Sequence, residues 1–171
     1  KLPELPATPG FEGVGVVEEA NAGLFGKYLQ GKRVAVMNRG TGNWKQFVVI
    51  PAKQAIPLAS DLPLEQAAMF FVNPAAAYVM TRKVLQVPSG AWLMQTAAGS
   101  ALGRMVIRLG KTYGFRTLNI VRREEQGKEL KKLGEDAVLK FNDQEDDPAE
   151  FRERVKETVG EQGVQFAIDP V

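Results

Sequence analysis

Ala91-Trp-Leu-Met-Gln-Thr96, then Ala97-Ala-Gly-Ser-Ala-Leu-Gly103, then a run ending at Tyr113-Gly114, then Arg116-Thr-Leu-Asn-Ile-Val121-Arg122-Arg123, is the stretch whose reading decides the fold. Its first six residues are mostly apolar and predict a buried strand. The next seven are nearly all small and predict a tight turn. Leu102, Val106, Leu109 and Tyr113 then recur at the helical period, with Arg104, Arg108 and Lys111 on the opposite face. Gly114 ends that helix. Leu118 to Val121 predict a second strand parallel to the first, because a helix of about three turns is the usual crossover between parallel strands. The whole reads as a βαβ unit with a small-residue turn.

Such a turn lets the backbone approach a pyrophosphate, and the free N–H groups and dipole of the following helix attract its charge. A strict glycine fingerprint is not present: Ala97 and Ser100 stand where the first two glycines would be, and only Gly103 remains. By itself the turn is equally compatible with plain packing of a helix onto a sheet. Beyond the second strand, where an NAD-binding unit places Asp or Glu against the ribose hydroxyls, this chain has Arg122 and Arg123. Two guanidinium groups suit a 2′-phosphate and favour NADPH. Solvated surface is the alternative reading of that pair, and Glu124 close by keeps NADH open.

Composition narrows the chemistry. The 171 residues are 44% hydrophobic and 25% charged, ordinary for a globular chain, and the net charge of +2 argues neither for nucleic acid nor for a membrane. No apolar run approaches the roughly 18 residues of a bilayer span, and no signal or transit pattern is visible. With no Cys and no His, the chain offers no disulfide, no thiol nucleophile, no imidazole base and no zinc site of the usual ligands. A proton donor must be Tyr, Lys, a carboxyl group or the ribose of a cofactor. The chain opens on Lys1-Leu-Pro-Glu-Leu-Pro6 and stops at Ile168-Asp169-Pro170-Val171, which reads as a segment cut at both ends.

Before residue 62 no helical period is visible, so this part predicts a small β domain. Its expected strands are residues 10 to 19, Gly31 to Met37 and Trp44 to Ile50, with a glycine-bearing loop from Asn38 to Asn43. Val14, Val16, Val34, Val36, Phe47 and Val49 are the expected core. Asp61 and Pro63 start a helix over Leu64 to Phe71, and a fresh helix from Ala75 to about Val84 has Asn73 as cap and Pro74 at its first position.

After Arg123 a crossover helix carrying Leu130 and Leu133 ends at Gly134, leading to the strand Ala137 to Leu139. A third helix starts at Asp147-Pro148 and buries Phe151, Val155 and Val159, and Val164 to Ile168 form a fourth strand. Four strands with three crossovers make the first half of a doubly wound sheet, in the order 3-2-1-4 on the dinucleotide-binding plan. The expected organisation is a partial β domain over 1–60, connecting helices over 61–88 and half of a nucleotide-binding domain over 89–171.

Together these motifs resemble the medium-chain dehydrogenase/reductase superfamily. They are the opening Pro9-Gly-Phe-Glu-Gly-Val-Gly-Val-Val17, the Gly31-Lys-Arg-Val strand, the Asp61-Leu-Pro-Leu-Glu-Gln-Ala-Ala68 helix, Asn73-Pro-Ala-Ala-Ala-Tyr78 and the Ala97 to Gly103 turn. The chain looks most like the mitochondrial type of trans-2-enoyl-CoA/ACP reductase and next like the quinone oxidoreductases. Phe11 stands where the zinc-dependent branch has a histidine ligand, and the zinc-binding lobe with four cysteines is absent, so the resemblance implies the zinc-free branch and no metal site. Ser100, Asn73-Pro74 and Arg122 resemble the enoyl reductases more than the quinone reductases.

The resemblance implies a GroES-like β domain followed by a Rossmann half, an α/β chain. It also implies NADPH-binding roles for Asn73, Gly99, Ser100, Ala101, Leu102, Gly103, Arg122 and Arg123. Ala101 departs from the pattern, since these enzymes commonly have glycine there. The catalytic tyrosine of the family lies a few residues before the Leu2-Pro-Glu-Leu-Pro6 stretch, so no catalytic residue is assigned within the chain. Tyr78 and Tyr113 sit on helical faces and do not replace it, while Trp44 is either a substrate-pocket residue or a packing residue.

The expected function is NADPH-dependent reduction of the C=C bond of a 2-enoyl thioester by a parent enzyme, a homodimer acting on a small-molecule substrate without nucleic acid or membrane. Its expected location is the cytoplasm or mitochondrial matrix, and the fragment alone is expected to be inactive. An NADPH:quinone reductase is the second reading, and a non-catalytic fragment with a vestigial nucleotide site the third.

Overall fold

The computed structural model describes residues 5–38 and 42–170, so part of the Asn38 to Asn43 loop lies outside the described residues. It divides into two compact units, Lys1–Val72 and Asn73–Val171.

The first unit is a three-stranded antiparallel sheet in the order β1 (Glu12–Val16), β2 (Arg33–Met37), β3 (Ala55–Pro57), with Val14 opposite Ala35 and Ala35 opposite Ile56. Leu29, Val34, Val36 and Ala55 form its core, with Val17, Ile50 and Ala52 packed against it.

The first unit departs from expectation in three ways. A helix, α1 (Gly23–Leu29), does precede residue 62; Leu29 is its one large buried side chain, too little apolar surface to print a helical period. Residues 44–50 form no strand. Their apolar alternation meets no neighbouring strand among the described residues, and a β conformation without a ladder leaves its N–H and C=O groups unpaired. For the same reason Phe47 and Val49 are 67% and 94% exposed, not core. Val16, although paired with Arg33 at the end of β1, is 58% exposed and is not core either.

Helix α2 (Leu64–Ala68) closes this unit, and helix α3 (Val72–Tyr78) starts at its border. Asn73 therefore lies inside the first turn of α3 and is not its cap. The end of the helix is satisfied differently: the Val72 N–H donates to Glu12 Oε2 at 2.9 Å, placing a carboxylate at the positive end of the dipole. Pro74 is tolerated because its missing N–H falls within the first turn.

In the second unit α3 runs on into a π-helical segment, Val79–Val84. The parallel sheet has the order β6 (Ala137–Lys140), β5 (Arg116–Val121), β4 (Trp92–Gln95), β7 (Phe166–Ile168), which is the expected 3-2-1-4. Alternation along the strands sorts the side chains to two faces. Leu93, Phe166 and Ile168 meet Val106 of α4 (Ala101–Tyr113), and Val121 and Val138 meet Ile107 of α4 and Leu130 of α5 (Glu124–Lys131). Trp92, Leu118, Ile120 and Leu139 turn to the opposite face against Phe151, Val155 and Val159 of α6 (Pro148–Val159). Each fully buried side chain of this kind contributes about 2 kcal/mol. The fold is thus α/β, a small antiparallel unit followed by a Rossmann-type half sheet.

Candidate nucleotide-binding site

The site grows from the carboxyl end of β4. Its last residue, Gln95, is buried; Nε2 donates to Gly103 O at 3.0 Å and to Asn119 Oδ1 at 2.7 Å. Asn119 Nδ2 in turn donates to Thr117 Oγ1 and Ala137 O, so a polar ladder ties three strands to the start of α4. Thr96 Oγ1 donates to Asp169 Oδ1 at 2.5 Å, and Thr96 N–H to Ile168 O at 3.2 Å, at the point between β4 and β7 where the strand order reverses. Crevices at such switch points are where open α/β sheets take their ligands.

The chain then turns sharply. Ala97 has φ +45°, a conformation usually left to glycine, and Ser100 N–H donates to Ala97 O at 2.9 Å. Ser100 caps α4: its Oγ accepts from Gly103 N–H at 3.1 Å, and Ser100 O accepts from Arg104 N–H at 3.0 Å. Gly103 is a packing requirement, since a Cβ there would lie 2.5 Å from Ala98 O and 2.7 Å from Ala98 Cα. What remains unpaired is informative. The N–H groups of Gly99, Ala101 and Leu102 have no acceptor among the described residues, and they lie at the positive end of a 13-residue helix. Unpaired donors on a tight turn fit the diphosphate of a dinucleotide, which would be held here by backbone rather than by side chains.

Beside the turn is a cavity of about 520 Å³ lined by Gly99, Arg104, Arg123, Glu125, Gln126 and Glu129. The structure therefore brings Gly99 and Arg123 to one cavity, with Ser100, Ala101, Leu102 and Gly103 continuing the turn. Arg122 is exposed at the end of β5 and does not line the cavity, and neither does Asn73, whose half-buried side chain makes no hydrogen bond among the described residues.

Two neighbours escaped the sequence reading. Arg104, placed by periodicity on the outer face of α4, donates from Nε to Gly99 O at 3.1 Å and pairs with Glu129 of α5. Gln126 lies over the turn, where its Nε2 would be 3.3 Å from a Cβ on Gly99. The available signal for Arg104 was a cation in the first turn of a helix that has no acidic residue there, against the preference of the dipole. Trp44, in the other unit, is 73% exposed and lies over Gly10, where a Cβ would meet its ring at 2.2 Å. Among the described residues no group of three or more His, Cys, Asp or Glu is placed to hold a metal ion.

No family model matches the chain. Among curated proteins it is 33% identical over 140 residues to a mitochondrial enoyl-[acyl-carrier-protein] reductase of Caenorhabditis elegans, covering 80% of this chain and 40% of that protein. The human mitochondrial enoyl-[acyl-carrier-protein] reductase is 36% identical over 142 residues, 81% of this chain and 38% of that protein. The chain thus spans about two fifths of the length of the curated relatives it matches. Among solved structures, Escherichia coli quinone oxidoreductase complexed with NADPH superposes with a TM-score of 0.80 at 26% identity, covering 94% of this chain and 47% of that one. In sequence the chain is similar to mitochondrial enoyl-[acyl-carrier-protein] reductases and in fold to a quinone oxidoreductase, a pair of likenesses consistent with the medium-chain dehydrogenase/reductase superfamily.

Proposed function

We propose that this chain is the nucleotide-binding part of an NADPH-dependent reductase of 2-enoyl thioesters. One observation carries the reading: Arg123 and Gly99 line the same cavity, next to unpaired backbone donors at the start of α4. A guanidinium there suits the 2′-phosphate that separates NADPH from NADH. Bound NADPH would supply a hydride to the β-carbon of the substrate, a proton being added at the α-carbon. The chain's own work is binding and orientation. The turn holds the diphosphate, Arg123 with Arg122 meets the adenosine phosphate, and Asn73 contacts the cofactor from the first turn of α3. The polarised thioester carbonyl needs a hydrogen-bond donor to stabilise the enolate, and no residue of this chain is assigned to that task. The fragment alone is therefore inactive in this reading.

The enoyl reductases rank ahead of the quinone reductases because the curated relatives named above are enoyl-[acyl-carrier-protein] reductases. Those relatives also support the mitochondrial matrix as the place of action, with the cytoplasm as the alternative. Among the described residues no helix is long and apolar enough to cross a membrane. A homodimeric parent, a β domain over 1–60 and connecting helices over 61–88 complete the reading. With the full-length protein, crotonyl-CoA is expected to be reduced faster than a quinone, and with NADPH faster than with NADH. Arg123→Gln should lower the NADPH preference about tenfold, the worth of one hydrogen bond to a charged group. A variant that keeps the full preference removes the role of Arg123, and a wild-type protein with no preference removes the case for NADPH.

A further inference from the structure

Arg104 and Arg123 line one cavity, but among the described residues only Arg104 is held by a carboxylate. Its Nε is anchored on Gly99 O at 3.1 Å, and its terminal nitrogen pairs with Glu129. A guanidinium carries five N–H donors in a fixed fork, so these two contacts leave donors unused. Glu129 is 57% exposed and Arg104 37% exposed, so their pair is weak and opens into water at little cost. Nothing in α4 itself favours the cation at this place: it sits in the first turn, at the positive end of the dipole. The anchor on Gly99 O and the carboxylate of α5 keep it over the turn.

We propose that Arg104 is a second anchor for the phosphomonoester of a 2′-phosphorylated adenosine, and that Glu129 is its built-in counter-ion, displaced when the phosphate binds. The inference rests on the NADPH reading above and adds a specificity device to it. With the site empty, Glu129 neutralises the guanidinium. A bound phosphate takes over the free donors, and the carboxylate swings outward because two anions repel at that distance. Glu129 thereby sets how strongly the cavity prefers a phosphorylated ribose to a plain one, and Glu125, which also lines the cavity, adds a second carboxylate that the phosphate must tolerate.

The experiment is calorimetric titration of the chain, at constant ionic strength, with 2′,5′-ADP and with 5′-AMP. Glu129→Gln is expected to tighten 2′,5′-ADP about threefold, the scale of an exposed ion pair, and to leave 5′-AMP unchanged. Arg104→Gln should weaken 2′,5′-ADP about tenfold with little effect on 5′-AMP. Glu129→Gln is an exposed substitution, and an unchanged circular dichroism melt identifies folded protein. If folded Glu129→Gln leaves the ratio of the two affinities unchanged or lowers it, Glu129 is no counter-ion and the inference is overturned. Arg123→Gln separates this from the parent reading. A wild-type preference for 2′,5′-ADP that Arg123→Gln removes, with no response at Glu129, leaves the NADPH site standing and removes only the role of Arg104. No wild-type preference at all removes both.

Discussion

At Gly103 a methyl group would press on the backbone of Ala98 from three sides, with Cα, C and O all between 2.5 and 2.8 Å away. Backbone cannot rotate aside as a side chain can, so the strain must be absorbed by moving α4 off the sheet. Gly103→Ala is therefore expected to destabilise the second unit by about 2 kcal/mol, measured as a lower midpoint in urea unfolding. Ala97 is the converse case, a non-glycine held at φ +45° in the same turn. The sequence places both positions where a glycine fingerprint has its glycines, with alanine at one and glycine at the other, but it does not say why only Gly103 must lack a side chain. That depends on which atoms lie within 3 Å, and those atoms come from packing.

Among the elements, α4 shows why the second unit is legible. It has a cap at Ser100, an apolar stripe and a terminating Gly114 at φ +77°, three local signals that agree. Helix α6 repeats the pattern with Asp147, whose side chain accepts from Ala149 N–H at 2.8 Å. Ser100→Ala removes the acceptor of the Gly103 N–H and should cost about 1 kcal/mol, read from thermal unfolding by circular dichroism, with no change of fold. Helix α1 and residues 44–50 fail for opposite reasons. Helix α1 buries too little to print its period, and residues 44–50 print an alternation that finds no partner strand among the described residues. Alternation states which side chains could share a face, but a strand exists only where a neighbour completes its hydrogen bonds.

For the whole molecule, the two compact units carry separate cores, and each contains one tryptophan: Trp44 is 73% exposed in the first and Trp92 5% exposed in the second. Fluorescence can therefore report the units independently. In Trp92→Phe the remaining emission should be red-shifted and readily quenched by iodide, whereas Trp44→Phe should leave a blue-shifted, protected emission that shifts red only when the parallel sheet unfolds. A single, coincident unfolding curve from the two variants would show that the units unfold as one.

By itself the sequence determined the class of the fold, the βαβ order, the ends of α4, the start of α6 and the small-residue turn followed by arginines, because each is written in neighbouring residues through periodicity, capping and turn chemistry. Only the tertiary structure decided that Arg123 rather than Arg122 lines the cavity, that Arg104 and Glu129 meet there, and that Phe47 and Val49 face water. Arg104 and Glu129 belong to different helices, α4 and α5, and their meeting depends on how each packs on the sheet. No local pattern of hydrophobicity or charge encodes that distance.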